Sequence, residues 1–152
     1  MQMHGSRAAS ALMGGVAALF ALASAAGAES AFDAPMVANG VVVSLIQQDE
    51  SDCTNTTVQD DPNRTRGGEI WVTAAGGTTT VQVAMTVTPN TTYDFYLKCV
   101  QALGRIVTDD EGIGMATFTF PSSLTGSTFA FDMYPGGAPS GNKFQSMTVV
   151  LP

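Results

Sequence analysis

The chain has 152 residues, with 13 acidic against 6 basic side chains and a net charge of −7. That length suits one domain with its own core, and the acidic balance argues against nucleic acid or an anionic membrane surface as a partner. His4 is the sole histidine, so beyond it a Ser-His-Asp triad, a His-based zinc or copper site and an imidazole base near neutral pH drop out together.

In chain order, residues 1–28 read as a secretory signal. Arg7 marks a short positive region, an apolar run covers 8–26, and Ala26-Gly27-Ala28 is a small-x-small cleavage site. The run is rich in Ala and Gly and no basic stop-transfer cluster follows it, so cleavage after Ala28 is expected rather than a retained anchor. No arginine pair precedes it and no cysteine sits at the cut. The expected product is exported to the periplasm or the extracellular space and has no membrane span. Residues 29–40 form an N-terminal extension and 41–152 a single β domain. All 13 acidic residues follow Ala28, against five basic ones (Arg64, Arg66, Lys98, Arg105 and Lys143), which gives the exported part a net charge of −8.

Past residue 40 the pattern alternates with period two, the mark of strands rather than helices. Val41, Val43 and Leu45 share one face of a first strand, and Ile70-Trp71-Val72-Thr73 marks a second. Gly76-Gly77 predicts a tight turn into the clearest alternation, with Val81, Val83, Met85 and Val87 inward. Tyr93, Phe95, Leu97 and Cys99 follow on one face, so Cys99 is expected to point as the core residues do. A short strand over 104–108 turns at Asp109-Asp110-Glu111-Gly112 and returns with Phe118 and Phe120 inward. Phe129, Phe131 and Met133 line a further strand, and Met147, Val149 and Leu151 the last. About eight antiparallel strands without crossover helices predict an all-β sandwich or barrel.

Residues 47–68 are a long polar loop holding Cys53. In an oxidising compartment Cys53 and Cys99 are expected to form a structural disulfide. They are not a C-x-x-C pair, and no histidine joins them as a metal ligand.

Val87-Thr88-Pro89-Asn90-Thr91-Thr92-Tyr93 matches an apolar-x-Pro-x-Thr-x-Tyr pattern. It resembles the corner before strand F in fibronectin type III and related immunoglobulin-like domains, where the tyrosine hydroxyl bonds back to backbone a few residues upstream. The segment from Leu103-Gly104 to Phe118 is similar to hairpins of secreted bacterial β-sandwich domains. These resemblances imply an antiparallel two-sheet Greek-key sandwich of immunoglobulin-like type, with 80–87 as strand E and 93–99 as strand F. They imply no activity, and the B–F bridge of antibody domains is not carried over because Cys53 falls in a polar loop.

Candidate chemistry is sparse. Asp109, Asp110 and Glu111 could offer oxygens to calcium, although their spacing is not that of a D-x-D-x-D-G loop and turns favour such residues for backbone reasons. Otherwise no cofactor is expected. Trp71, Tyr96 and Tyr134 could form an aromatic platform for a sugar ring or a protein partner; a lone tryptophan in a sandwich is read first as core. The residues therefore point to a non-catalytic binding or interaction module of the periplasm or cell surface, with an envelope protein or surface ligand as partner. The alternative is a structural or self-assembling envelope subunit, and a carboxylate-based enzyme is the remaining reading.

Overall fold

The computed structural model describes residues 40–49, 53 and 58–152. The predicted signal and all of the extension except Gly40 lie outside them. The described residues form an all-β fold. Ten strands run β1 Val41–Gln47, β2 Arg66–Ala75, β3 Thr78–Thr86, β4 Thr92–Leu97, β5 Gln101–Val107, β6 Ile113–Pro121, β7 Thr128–Phe129, β8 Phe131–Pro135, β9 Phe144–Ser146 and β10 Val149–Val150. A single 3-10 turn, Ser122–Leu124, follows β6.

The predicted alternation is realised where it is strongest. In β3, Thr79, Val81, Val83 and Met85 are buried while the residues between them face outward. The β2–β3 turn is made by Gly76 and Gly77 at φ of 57° and 78°. A tight hairpin of this hand needs positive φ at both central positions, which only glycine adopts without strain.

Eight strands pair antiparallel in the order β5-β4-β8-β9-β1-β2-β3-β6, and β7 pairs with β10 separately. The eight form two four-stranded leaves, β6-β3-β2-β1 and β9-β8-β4-β5, packed over a common core. The two-sheet description holds only roughly, because β1 and β9 pair through Leu45↔Ser146, Ile46↔Gln145 and Gln47↔Phe144 and join the leaves into one continuous sheet. A register shift between Leu45 and Ile46 lets β1 turn from one leaf to the other. The sheet's two ends, β5 and β6, lie against each other. There Phe118 crowds Gly104, where a Cβ would sit 2.6 Å from the ring, so the near-closure depends on a residue without a side chain. With β6, β5 and β4 as successive neighbours and β3 returning beside β6, the path is a Greek key.

Both inner faces supply the core: Leu45, Ile70, Val72, Val81, Val83, Tyr93, Phe95, Leu97, Phe131 and Met133 are fully buried or nearly so. Phe95 stacks between Phe118 and Phe131 at centroid distances of 5.1 and 5.3 Å. Each such ring stabilises the fold by about 1.5–3 kcal/mol through burial.

Three expectations change. Residues 129–133 are not one strand: the chain steps at Ala130, whose carbonyl accepts the Lys98 amide at 2.9 Å, and Phe129 joins β7. The C-terminal alternation also divides, with β9 staying in the main sheet and β10 leaving to pair with β7, where Val149 lies opposite Phe129. Cys99 leaves its strand. It occupies the β4–β5 turn at φ 59° and is exposed, so it does not point with Tyr93, Phe95 and Leu97.

Candidate functional site

The three aromatic residues singled out in the sequence lie on the outer faces of different leaves. Trp71 sits on β2 between Ile70 and Val72, both buried, so the pleat turns it outward; it is half-buried and not a core residue. Its cross-strand neighbours are Val42 on β1 and Gln82 on β3. Further along, Ala84 lies opposite Met115 and Thr86 opposite Ile113. Val42, Ile113 and Met115 are 44%, 40% and 49% exposed. Together with Trp71 and Ala84 they make an apolar surface across all four strands. Beside it is an open depression of about 370 Å³, lined by Ser44, Arg66, Glu69, Trp71, Ile113 and Met115 among others.

Tyr96 and Tyr134 come together on the outer face of the second leaf. Their rings stack with centroids 4.9 Å apart and 20° between planes. The register sets Asp94 opposite Tyr134 and Tyr96 opposite Asp132, so two phenols and two carboxylates alternate across β4 and β8. Arg105 on β5 donates through Nε to Asp94 at 2.9 Å. Tyr134's hydroxyl is pushed up to about 12, first by desolvation, then by its hydrogen bond with Tyr96, with Asp132 and Asp94 adding to the effect. It therefore stays a neutral phenol across physiological pH.

Next to this stack is a charged group that sequence reasoning missed. Lys98 follows the outward phase of β4, yet its side chain is only 1% exposed. Its Nζ donates to Gln145 Oε1 at 2.7 Å and lies 3.8 Å from Asp132 Oδ1. Ile46, opposite Gln145, and Val58 are also buried, outside the main core cluster. No local signal marks Lys98, because its partners Asp132 and Gln145 come from distant parts of the chain.

Cys53 and Cys99 are disulfide-bonded, with Cα atoms 5.6 Å apart. The bond ties the β1–β2 loop to the β4–β5 turn. Arg64 reinforces that loop through Gln48 at 2.8 Å, and Arg66 pairs with Asp60. Asp49 accepts from the Ser140 hydroxyl and the Gly141 amide, which with Lys143 nearby hold its carboxyl below the usual range. Gln47 donates to the Gly141 carbonyl. Residues 136–142 are thus fastened beside the stack. Between them and Tyr134 lies a depression of about 230 Å³, lined by Asp49, Asp132, Tyr134, Lys143, Phe144 and Gln145 among others.

The acidic turn has another local role. Asp109 Oδ1 accepts the amides of Glu111 and Ile113 at 3.0 and 2.8 Å, and the Asp109 carbonyl accepts those of Asn90 and Gly112. The aspartate shapes its own hairpin. Among the described residues no three His, Cys, Asp or Glu side chains are grouped to hold a metal, so Asp109, Asp110 and Glu111 do not converge as a ligand set.

The tyrosine corner is present as a geometry. The Thr88 amide donates to Tyr93 Oη at 3.4 Å, and that hydroxyl donates to Asn142 Oδ1 at 2.6 Å. No described helix is long and apolar enough to cross a membrane.

No family model matches the chain, and no curated protein does. Among solved structures the chain is similar to the Cu/Zn superoxide dismutase from Brucella abortus, at 12% identity over 73% of this chain and 99% of that one, with a TM-score of 0.46.

Proposed function

We propose that the protein is an exported, non-catalytic interaction module that binds an envelope protein through the outer face of β1, β2, β3 and β6. One observation carries the reading: Val42, Ile113 and Met115, exposed, and Trp71, half-buried, bring four large apolar side chains to one outer face of a hydrogen-bonded leaf. Apolar patches rimmed by polar residues mark contact sites on soluble proteins, and tryptophan is the residue type most often dominant in such contacts. The rim is polar, with Thr73, Gln82, Thr86 and Thr117 around the patch and the charged Glu69 and Arg66 at its β2 side. The excess of carboxylates over basic residues favours a partner that is basic around an apolar anchor, and disfavours a second copy of this acidic chain.

Export is supported by the signal-like residues 1–28 and by the disulfide, since such bonds persist in oxidising compartments. The absence of histidine beyond His4 supports a role without acid–base catalysis.

The test is a photo-crosslinking residue at position 115, with position 96 as control, in cells that make the protein. The reading predicts one distinct heterologous adduct from position 115 and none of that mass from 96. A ladder of the protein with itself would favour the self-assembling subunit. No adduct, or the same adduct from both positions, would remove this face from the proposal. The intact mass of the recovered protein tests export, with an expected start at Glu29.

A further inference from the structure

The methionines among the described residues stand in unlike surroundings, and one of them is set apart chemically. Met85 and Met133 are 2% and 0% exposed in the core, Met147 is partly buried against it, and Met115 is 49% exposed. We propose that Met115 is a site of reversible oxidation by peroxides, and that its sulfoxide weakens the partner's hold on the Trp71 face. The weakening rests on the role proposed above for that face; the oxidation does not.

Two observations carry the assignment. The first is access. Oxidation of a sulfur side chain follows its exposure. The pleat of β6 turns Gly114 and Phe120 inward and Met115 outward. Met115 also lines the open depression of about 370 Å³ shared with Arg66, Glu69 and Trp71. A peroxide reaches it from solvent with the fold intact. Met85 and Met133 are shut off by close packing and react only when that packing opens.

The second is where the product forms. A sulfur lone pair bonds to one peroxide oxygen and the O–O bond breaks. The departing hydroxide takes the proton of the transferred hydroxyl and leaves as water. Sulfur loses two electrons and the peroxide gains them. A polar acceptor then stands where an apolar side chain stood. Met115 lies opposite Ala84 and two positions from Ile113 on β6, so the change falls within the patch and not on its rim. Covering a polar group without a new hydrogen bond costs affinity. The core is untouched, because the side chain faces outward. Methionine sulfoxide reductases return the sulfoxide to the thioether, which makes the change reversible.

The test is a hydrogen peroxide titration of the exported protein with peptide mass mapping. Met36, outside the described residues, is replaced by leucine throughout so that it adds no signal. Met115 should gain one oxygen about tenfold faster, or more, than Met85, Met133 and Met147. The oxidised protein should keep its urea midpoint and elute earlier from a hydrophobic-interaction column. Sulfoxide reductase should restore the original elution, and Met115→Leu should show no peroxide-dependent shift. A photo-crosslinking residue at position 117, on the patch rim, should lose its heterologous adduct about fivefold on oxidation, and keep it in Met115→Leu. Oxidation of Met115 no faster than that of Met147, or an elution shift that survives Met115→Leu, would overturn the site. An adduct indifferent to oxidation would overturn the weakening. Absence of any adduct from the untreated protein would instead count against the role of the face, and the rates and elution would still decide the site.

Discussion

The two leaves have the same inner face and opposite outer ones. Inside, both present alternating Val, Ile, Leu and Phe to one core, as the pleat requires. Outside, β1-β2-β3-β6 is apolar and threonine-rich around Trp71. The outer face of β9-β8-β4-β5 is ionic and aromatic, with Lys98 and Gln145 buried in it and the β1–β2 loop fastened at its edge through Cys53 and Cys99. A strand's pattern decides which side chains meet the core. What the opposite side chains meet depends on whether a connection folds back over them. The β1–β2 loop is tied to the second leaf's β4–β5 turn through Cys53 and Cys99, and no such tie joins a described loop to the first leaf.

Breaking that loop's tether should have the largest effect. Cys53 and Cys99 are 46 residues apart, and replacing both by alanine should cost about 4 kcal/mol in the chain-entropy model. Urea unfolding of the variant against the oxidised parent measures it. A loss no larger than that of an ordinary surface substitution would mean that the loop is held by Val58 and Arg64 without the bond. Second, Asp132→Asn should cost about 3 kcal/mol, because it removes a carboxylate 3.8 Å from the buried Lys98 ammonium. On the first leaf the matching change at the exposed Glu69, Glu69→Gln, should stay within about 0.5 kcal/mol. Equal costs at the two positions would erase the contrast between the faces.

Trp71→Thr should shift stability by about 1 kcal/mol and reduce partner affinity by 2 kcal/mol or more, roughly thirtyfold. Titration of the purified partner against the two proteins separates these effects.

The smallest effect is a titration. Tyr134 in the folded protein ionises near 12, against about 10 in an unfolded chain. Between those values the folded state binds more protons than the unfolded one, so stability falls as pH rises through that window. Absorbance of tyrosinate should show a component near pH 12 that Tyr134→Phe removes. Asp49 works in the opposite sense: its carboxyl is lowered in the folded state, so its contribution is present above the ordinary carboxylate value and fades as pH falls through the lowered one.

Much of the fold was legible in the residues because it is local. The alternation of Val81, Val83 and Met85 specifies both a strand and its buried face, Gly76-Gly77 specifies a hairpin, and Thr88 to Tyr93 specifies a corner in which the tyrosine hydroxyl meets backbone five residues upstream, at Thr88. Trp71 was harder to read because Ile70, Trp71 and Val72 are all apolar, so the run carries no phase. Only the pairing of β2 with its neighbours shows that Trp71 faces out. Cys99 misled for a related reason: it continues the period of Tyr93, Phe95 and Leu97, but the chain turns before reaching it.

Strand identity, strand phase, the acidic character and the lack of imidazole chemistry after His4 were properties of the chain, because each depends on a residue and its near neighbours. The burial of Lys98, the stacking of Tyr96 on Tyr134 and the separation of both tyrosines from Trp71 were decided by tertiary structure. They depend on which strands lie side by side. Those pairings are set by the closure of one sheet around a shared core, and residues dozens of positions apart meet only once it has closed.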